Sequence, residues 1–487
     1  MKRNDTLGHE AVRLTTSKVI TMVITLITSM LLARFRSLEE YGTYSQLLLV
    51  INLFTTLLML GLPNSINYFL ARADTADEKK KFLSVYYSFS TLLSFLIGLI
   101  LVLSVPIIES YFHNSNISKF YYFLAVYPWA SIISSSIENV LVVYRKTAGL
   151  IIYRIVHSIA LLGAILVIQW MGCGFGVYML VFVIINCLFA IAVYLIAARL
   201  SNGLKPNLDK TFIRSILTFS VPMGLAAVVG TLNTEIDKLL IGFLMDTEQL
   251  AIYTNAAKEL PLSIVGSSIT AVLLPRMARL IKQDRSHDAI ALWGVATQLS
   301  FIVIAVIVCG VFTYAEDVMT FLYSSKYLPG ITVFRIYTLN LLLRVTYFGI
   351  VLNASGQTKK IFWCSILSLI LNIILNPLFY YAFGMIGPAI ATFLAILFIQ
   401  LLQLGMTAKV AKVQIAEVFP WIKIIKIMMI NICFSVVFFM LKHFIPLEEY
   451  VGSLVESILL GALWVGIYLF VMKNRIQRYW KQLNAQS

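Results

Sequence analysis

Apolar positions in this chain come in runs of membrane length, one after another from residue 15 to residue 472, with polar residues gathered in the short gaps between them. A run of about 20 apolar residues reads as a spanning helix, because that length at helical rise crosses the hydrocarbon of a bilayer. The pattern predicts fourteen spans, near 15–35, 43–70, 82–106, 119–143, 151–170, 176–198, 212–243, 250–275, 290–313, 330–352, 361–381, 385–407, 421–442 and 452–472. One stretch, 353–392, organises the rest. It has a polar entry ending Gln357-Thr358-Lys359-Lys360, an apolar run with Asn372, Asn376 and Pro377, the uncharged turn Gly384-Met385-Ile386-Gly387-Pro388, and a second apolar run. A weaker copy lies 211 residues earlier: Lys146-Thr147 stand for Gln357-Thr358, Gly176 stands for Gly387, and the run 155–170 matches 366–381. A duplicated unit in a membrane chain predicts two lobes with a path between them.

The expected fold is therefore an all-α polytopic membrane protein of about 14 transmembrane helices. Helices 1–6 form an N-lobe over 1–198, and a cytoplasmic linker over 199–214, with Gly203 and Pro206, leads into helix 7. Helices 7–12 form a C-lobe over 212–407. Helices 13 and 14, with the tail, are appended over 408–487 and have no partner copy. Six helices separate equivalent points, so both copies enter the membrane in the same direction. That sets a pseudo-twofold axis along the membrane normal. The longest outward loop, near 313–329, leaves little room for a catalytic domain.

Composition agrees with this picture. The 487 residues are 60% hydrophobic and 13% charged, more apolar than any soluble core of this size requires. A net charge of +15 in a soluble protein would suggest nucleic acid; here it is mainly a topology signal. With the N-terminus inside, outward segments hold only Arg34, Arg36, Lys119, Lys238, Lys326 and Lys442, and most of the other Lys and Arg fall in the inside segments. Both termini are thus expected in the cytoplasm, with no nucleic-acid partner. The first run follows a basic tail without a small-x-small cleavage site and reads as helix 1, not a signal peptide. The five cysteines form no CxxC, and no Walker, HExxH or GxSxG pattern occurs, so no metal, cofactor, ATP or enzymatic centre is expected.

Ionisable residues inside spans cost about 2.5–3.5 kcal/mol each on insertion scales, so each needs a reason. Lys18, Glu138, Arg154, His157 and Arg344 fall in the cytoplasmic half. At the 211-residue spacing Arg154 and His157 face Ser365 and Ser368, and Arg344 corresponds to Ile133. Charge carried by only one copy points to work in a shared cleft. Arg154 and His157, three apart, share a helix face and suit a diphosphate, with the guanidinium as the bidentate partner. Alternatively, Arg154 snorkels to the surface and His157 bonds a neighbouring helix. Arg344 is the strongest single anion-site candidate, and Lys18 adds a cation near the start of helix 1. Glu138 is positioned to pair with Lys18 or Arg154, or to carry a proton. At the outer ends of helices 7 and 8, Glu235, Asp237, Lys238, Lys258 and Glu259 are expected to form an ion-pair set or an outer gate. Asn372 and Asn376 share a face beside Pro377 and suit helix–helix hydrogen bonds or sugar hydroxyls. Trp129, Trp170, Trp421 and Trp464 read as interface anchors.

Several stretches carry a family resemblance. They are Asp237-Lys238-Leu239-Leu240-Ile241-Gly242, Ile252-Tyr253-Thr254-Asn255-Ala256 with Pro275 ending that helix, 353–357, 371–377 and 384–392 in the second copy, and Tyr41-Gly42-Thr43-Tyr44 with Gly61-Leu62-Pro63 in the first. Over roughly residues 10–410 the chain resembles the polysaccharide-transporter branch of the MATE-like multidrug/oligosaccharidyl-lipid/polysaccharide exporter superfamily. Ala251 and Pro388 depart from its usual residues. The resemblance implies a Wzx-type flippase of the bacterial inner membrane. Its substrate would be an undecaprenyl-diphosphate-type lipid-linked oligosaccharide, an O-antigen or capsule repeat unit. Its surroundings would be the lipid bilayer and other polysaccharide assembly proteins. Alternating access of the two lobes around a cationic cleft is the expected mechanism. Rivals in the same superfamily are a peptidoglycan-precursor lipid flippase and a cation-coupled drug exporter; the positive bias speaks against the exporter. A membrane glycan polymerase or ligase is disfavoured by the internal repeat and the short outward loops.

Overall fold

The computed structural model describes residues 2–260, 263–445 and 452–485, and among these it is helical with no strand. The first helices are α1 (Lys2–Phe35), α2 (Leu38–Met59) and α3 (Ala76–Leu103). The last two of these start on capping boxes. Ser37 Oγ accepts the Glu40 N–H at 3.1 Å and Glu40 accepts the Ser37 N–H at 3.0 Å. Thr75 and Glu78 do the same for α3. Each box satisfies orphan donors and sets a carboxylate at the positive end of the helix dipole. Next come α4 (Tyr121–Ser135), α5 (Ile137–Val143), α6 (Thr147–Trp170), α7 (Phe175–Leu200), α8 (Lys210–Leu244) and α9 (Thr247–Ala256).

Asp209 caps α8, accepting from the backbone of Thr211 and Phe212 at 3.1 Å, and pairs with Lys81 of α3 at 3.0 Å. The Thr211 hydroxyl, then Lys81 and the Phe212 N–H, hold its carboxyl far below the ordinary range. The tie between the linker and α3 is therefore present at neutral pH and is lost only as pH falls through that depressed value.

Packing divides the chain into two compact units, Met1–Ala251 and Ile252–Ser487. In the first, α6 lies against α1 and α7, α4 against α3 and α7, and α8 along α2. Gly224 lets α8 approach the end of α2 backbone to backbone, since a Cβ there would meet the Leu60 main chain. By packing, then, α8 sits in the first unit; the lobe boundary inferred from the repeat falls earlier, in the linker.

The second unit holds α10 (Ser263–Lys282), α11 (Ser286–Thr313), α12 (Ala315–Tyr323), α13 (Ile331–Leu343), α14 (Ile350–Ala354), α15 (Thr358–Phe383), α16 (Gly387–Ala411), α17 (Trp421–Phe444) and α18 (Ser453–Ala485). Helix α11 is its interior axis: 67% of its apolar window is buried, against 17% for α17. One core cluster joins Phe301, Ile304 and Val308 of α11 to Phe438, Trp464 and Tyr468, so α17 and α18 dock directly on that axis. A second cluster gathers Trp293, Phe348, Leu404 and Phe419.

The α15–α16 turn explains its own sequence. Gly384 has φ +60°, and a Cβ on Gly387 would strike the Phe379 carbonyl. Only glycine suits both positions without strain.

Eleven described helical stretches are long and apolar enough to cross a membrane. Their outward faces carry large apolar side chains such as Phe95, Trp170, Leu378 and Phe470, as a lipid-facing surface requires. The chain is a multi-pass membrane protein. The expected count of fourteen is not reproduced span for span. Thr358–Ala411 passes as one stretch holding both α15 and α16. The span expected near 250–275 is instead α9 ending at Ala256 and α10 starting at Ser263, and Pro275 lies inside α10. The span near 330–352 is α13 and α14 with a break between them. Trp464, expected as an interface anchor, is 1% exposed and stacks on Phe438 at 5.5 Å in the core.

Candidate functional site

The ionisable residues of the first unit collect around Glu138. Ser136 ends α4 and opens α5; its hydroxyl bonds the Ile133 carbonyl at 2.7 Å and lies 3.0 Å from the Tyr87 hydroxyl. That break sets Glu138 in the first turn of α5, facing residues from α1 and α6. Lys18 Nζ lies 3.1 Å from Glu138 Oε1, and Arg154 Nη2 bonds Glu138 Oε2. One carboxylate thus holds two cations, one on each oxygen, and a positive charge is left over. Arg154 is largely covered, its side chain 17% exposed, whereas Lys18 at 55% and Glu138 at 41% are open. Arg154 Nη1 is buried and has no hydrogen-bond partner among the described residues. An idle guanidinium edge inside a helical bundle is a donor set ready for an added acceptor.

Two residues that the sequence reading passed over extend this wall. Asn139 donates to the Pro63 carbonyl at 2.9 Å and accepts from Asn67 at 3.1 Å. Asn67 sits in a one-turn π-helix, Ile66–Leu70, a wider turn often found where a helix must reposition a side chain. The signal available in the sequence was the adjacency of Asn139 to Glu138.

His157 does not join Arg154. Its Nε2 lies 3.1 Å from Asn186 Oδ1, and its ring packs 4.6 Å from Phe189, both on α7. Three residues apart on α6, the two side chains turn to different neighbours, Arg154 to α5 and His157 to α7. The expectation of one shared diphosphate-binding face is corrected accordingly.

In the second unit Arg344 stands at the C-terminal cap of α13, outside a continuous helix, and its Nη2 lies 2.9 Å from Glu259 Oε1. This pair is partly open, with side chains 37% and 23% exposed. Arg335 turns away from it and lies over the Phe312 ring at 5.7 Å. Asn372 and Asn376 are buried in α15 at 2% and 1% exposure, and no amide atom of Asn376 has a partner among the described residues.

Of the residues expected as an outer ion-pair set, Lys238 pairs with Glu235 one turn away on α8 at 2.7 Å. Asp237 is buried, and its carboxylate accepts the Lys238 N–H at 2.8 Å. Lys258 follows α9, its N–H bonded to the Asn255 carbonyl at 3.3 Å, and Glu259 faces Arg344.

Chemically, then, the first unit offers a net-cationic polar wall with a spare guanidinium edge and a displaceable carboxylate. The second offers a charge-balanced pair and buried amides.

Comparison with known proteins follows from here. Residues 31–332, more than half of the chain, match the family model described as polysaccharide biosynthesis protein. The chain is 22% identical over 220 residues to the capsular polysaccharide biosynthesis protein CapF of Staphylococcus aureus, covering 43% of this chain and 55% of that one. It is 20% identical over 201 residues to the probable low-salt glycan biosynthesis flippase Agl15 of Haloferax volcanii, covering 41% and 42%. The matched region spans about half the length of these curated relatives. Among solved structures it is similar to an inward-facing multidrug resistance MATE family transporter of the MOP superfamily, with TM-score 0.64 and 13% identity, over 83% of this chain and 99% of that one. At such identity the likeness is one of fold.

Proposed function

Because the chain belongs to the polysaccharide biosynthesis protein family, and has the fold of a MOP-superfamily transporter, we propose that it is a flippase for a polyprenyl-diphosphate-linked oligosaccharide. The observation that carries this reading is the shared Glu138. A diphosphate is an anion that needs cationic donors to leave water, and Arg154 supplies a desolvated, bidentate guanidinium with one nitrogen already idle. In this scheme the diphosphate displaces Glu138 from Arg154 and takes Lys18 as its second cation. Glu138, 41% exposed, swings aside and later returns, and its return helps release the anion. The prenyl tail stays in lipid while the sugars cross a wet cleft.

Arg344 with Glu259 is a second station for the head group, and Asn372 and Asn376 meet sugar hydroxyls. The set Glu235, Asp237, Lys238 and Lys258 works as a gate in an alternating-access cycle of the two duplicated lobes. The setting of this scheme is a bacterial inner membrane with both termini in the cytoplasm. The substrate class is the repeat unit of a surface glycan.

The test is reconstitution of the full chain in vesicles loaded with a fluorescent short-chain polyprenyl-diphosphate oligosaccharide. Flipping is read as the fraction of glycan reached by an impermeant glycosidase. The wild-type chain should expose the glycan with time, and Arg154→Gln should not. Near-normal flipping by Arg154→Gln would overturn the proposal.

A further inference from the structure

The appended helices carry a cluster for which the flippase scheme has no use. Asp317 of α12 and Lys442 in the last turn of α17 form an ion pair, their side chains 12% and 19% exposed. Ser453 and Ser457, one turn apart at the start of α18, close it. Lys442 Nζ donates to both hydroxyls at 2.9 Å, and the hydroxyls donate in turn to Asp317 at 2.5 and 2.7 Å. On the same turn of α18 lies Glu456. It is wholly buried, and neither of its oxygens has a hydrogen-bond partner among the described residues. The remaining titratable group packed here is Tyr314, at the α11–α12 junction, whose hydroxyl donates to the Phe438 carbonyl at 3.3 Å. Burial, then the nearby Glu456 and Asp317, push that phenol up to about 12.

The chemistry follows from a charge count. Two carboxyls and one ammonium gather around the first turn of α18 and Tyr314, and an uncompensated buried charge is costly. The cluster is neutral only when it holds one proton. Burial opposes ionisation of Asp317, but Lys442 and the two serines outweigh it and hold that carboxyl below its ordinary range. Glu456 has no such donors among the described residues and is wholly buried, and an ionised carboxylate so placed is costly. We propose that Asp317, Lys442 and Glu456 form an exchangeable one-proton site, with Glu456 as the carrier and Lys442 as the cation that can pair with either carboxyl. Lys442 bonds Ser453 and Ser457 on the turn of α18 that carries Glu456, which sets its ammonium beside the segment bearing the second carboxyl. Such a site would give the chain a means of responding to a proton gradient, and it stands whether or not the substrate is a lipid-linked glycan.

Infrared spectroscopy of the full chain in lipid tests it directly. The native protein should show a protonated-carboxyl stretch that shifts in deuterated water and is lost in Glu456→Gln. The deciding variant is Asp317→Asn. With the competing carboxylate gone, Lys442 satisfies an ionised Glu456, and the band should vanish although Glu456 is intact. A band of native intensity in Asp317→Asn would make Glu456 a permanently protonated core residue and overturn the proposal. So would a native band that ignores deuterated water, or one that survives Glu456→Gln. Should Asp317→Asn fail to reach the membrane, Lys442→Gln supplies the opposite arm. Without the ammonium both carboxyls must hold protons, and the band should grow about twofold; unchanged intensity overturns the idea equally.

Discussion

Each compact unit sets an arginine against a glutamate where a helix breaks, and the two sites differ in what is left over. In the first, Glu138 opens α5 and is shared by Lys18 and Arg154, so the carboxylate is outnumbered. In the second, Arg344 ends α13 and pairs with Glu259, with no second cation in a salt bridge to that carboxylate among the described ion pairs. The first arginine is more covered, 17% against 37% exposed, and keeps an idle nitrogen. A buried cation in excess has something to gain from a new anion; a matched pair must first be broken. Within the proposed scheme the comparison puts Arg154 ahead of Arg344, which helix position alone had favoured, as the arginine to test first.

The strongest way to break that ordering is to neutralise both arginines in parallel and measure flipping. Arg154→Gln should lower the rate by at least tenfold, since a charge-assisted bond to an anion is worth about 1.5–3 kcal/mol. Glu138→Gln should have the next largest effect and a different signature. Tighter binding of the anionic head, read as a lower apparent KM, should come with a slower maximal rate, because the returning carboxylate is gone. Equal changes in both parameters would mean that Glu138 only holds the helices together.

Arg344→Ala should cost less. Its pair is partly open, so breaking it lies nearer the ~1 kcal/mol of an exposed pair than the ~3–5 kcal/mol of a buried one. The double variant Arg344→Ala/Glu259→Ala should recover most of the wild-type rate. If Arg344→Ala slows flipping as much as Arg154→Gln, Arg344 carries an equal share of the head group and the contrast between the units fails.

Much of this was legible in the chain. Hydrocarbon thickness fixes the length of an apolar run, so most spans could be read by length alone. The pairing of Glu138 with Lys18 and Arg154 was also foreseeable, because a carboxylate within a membrane span and near two cations has few other stable states. What escaped has common causes. The breaks after Ala256 and after Leu343 were marked only by Lys258, Glu259 and Pro261 and by Arg344, short polar interruptions that the apolar runs on either side outweighed. The bond from Asn67 to Asn139 and the pairing of Asp317 with Lys442 join residues far apart in sequence. Helix rotation decides which of them meet, and rotation is set by packing of the whole bundle. Trp464 was misread for the same reason: a position near a span end does not say which way the ring turns.

The smallest expected effect sharpens the comparison at the level of the duplicated hairpins. Gly387 and Gly176 occupy equivalent places in the two copies, yet only Gly387 is sterically required. A Cβ there would press on the Phe379 main chain, which cannot move without distorting α15, whereas nothing lies within 4 Å of the corresponding atom at Gly176. Gly387→Ala should therefore destabilise the second unit by about 1–3 kcal/mol, the usual range for overpacking. Gly176→Ala, in the first turn of α7, should be neutral or stabilising by up to about 1 kcal/mol. Thermal unfolding of both variants in the same detergent reads the difference. Equal losses would mean that the α6–α7 turn closes as tightly as the α15–α16 turn, and the two copies would then differ in charge but not in backbone fit.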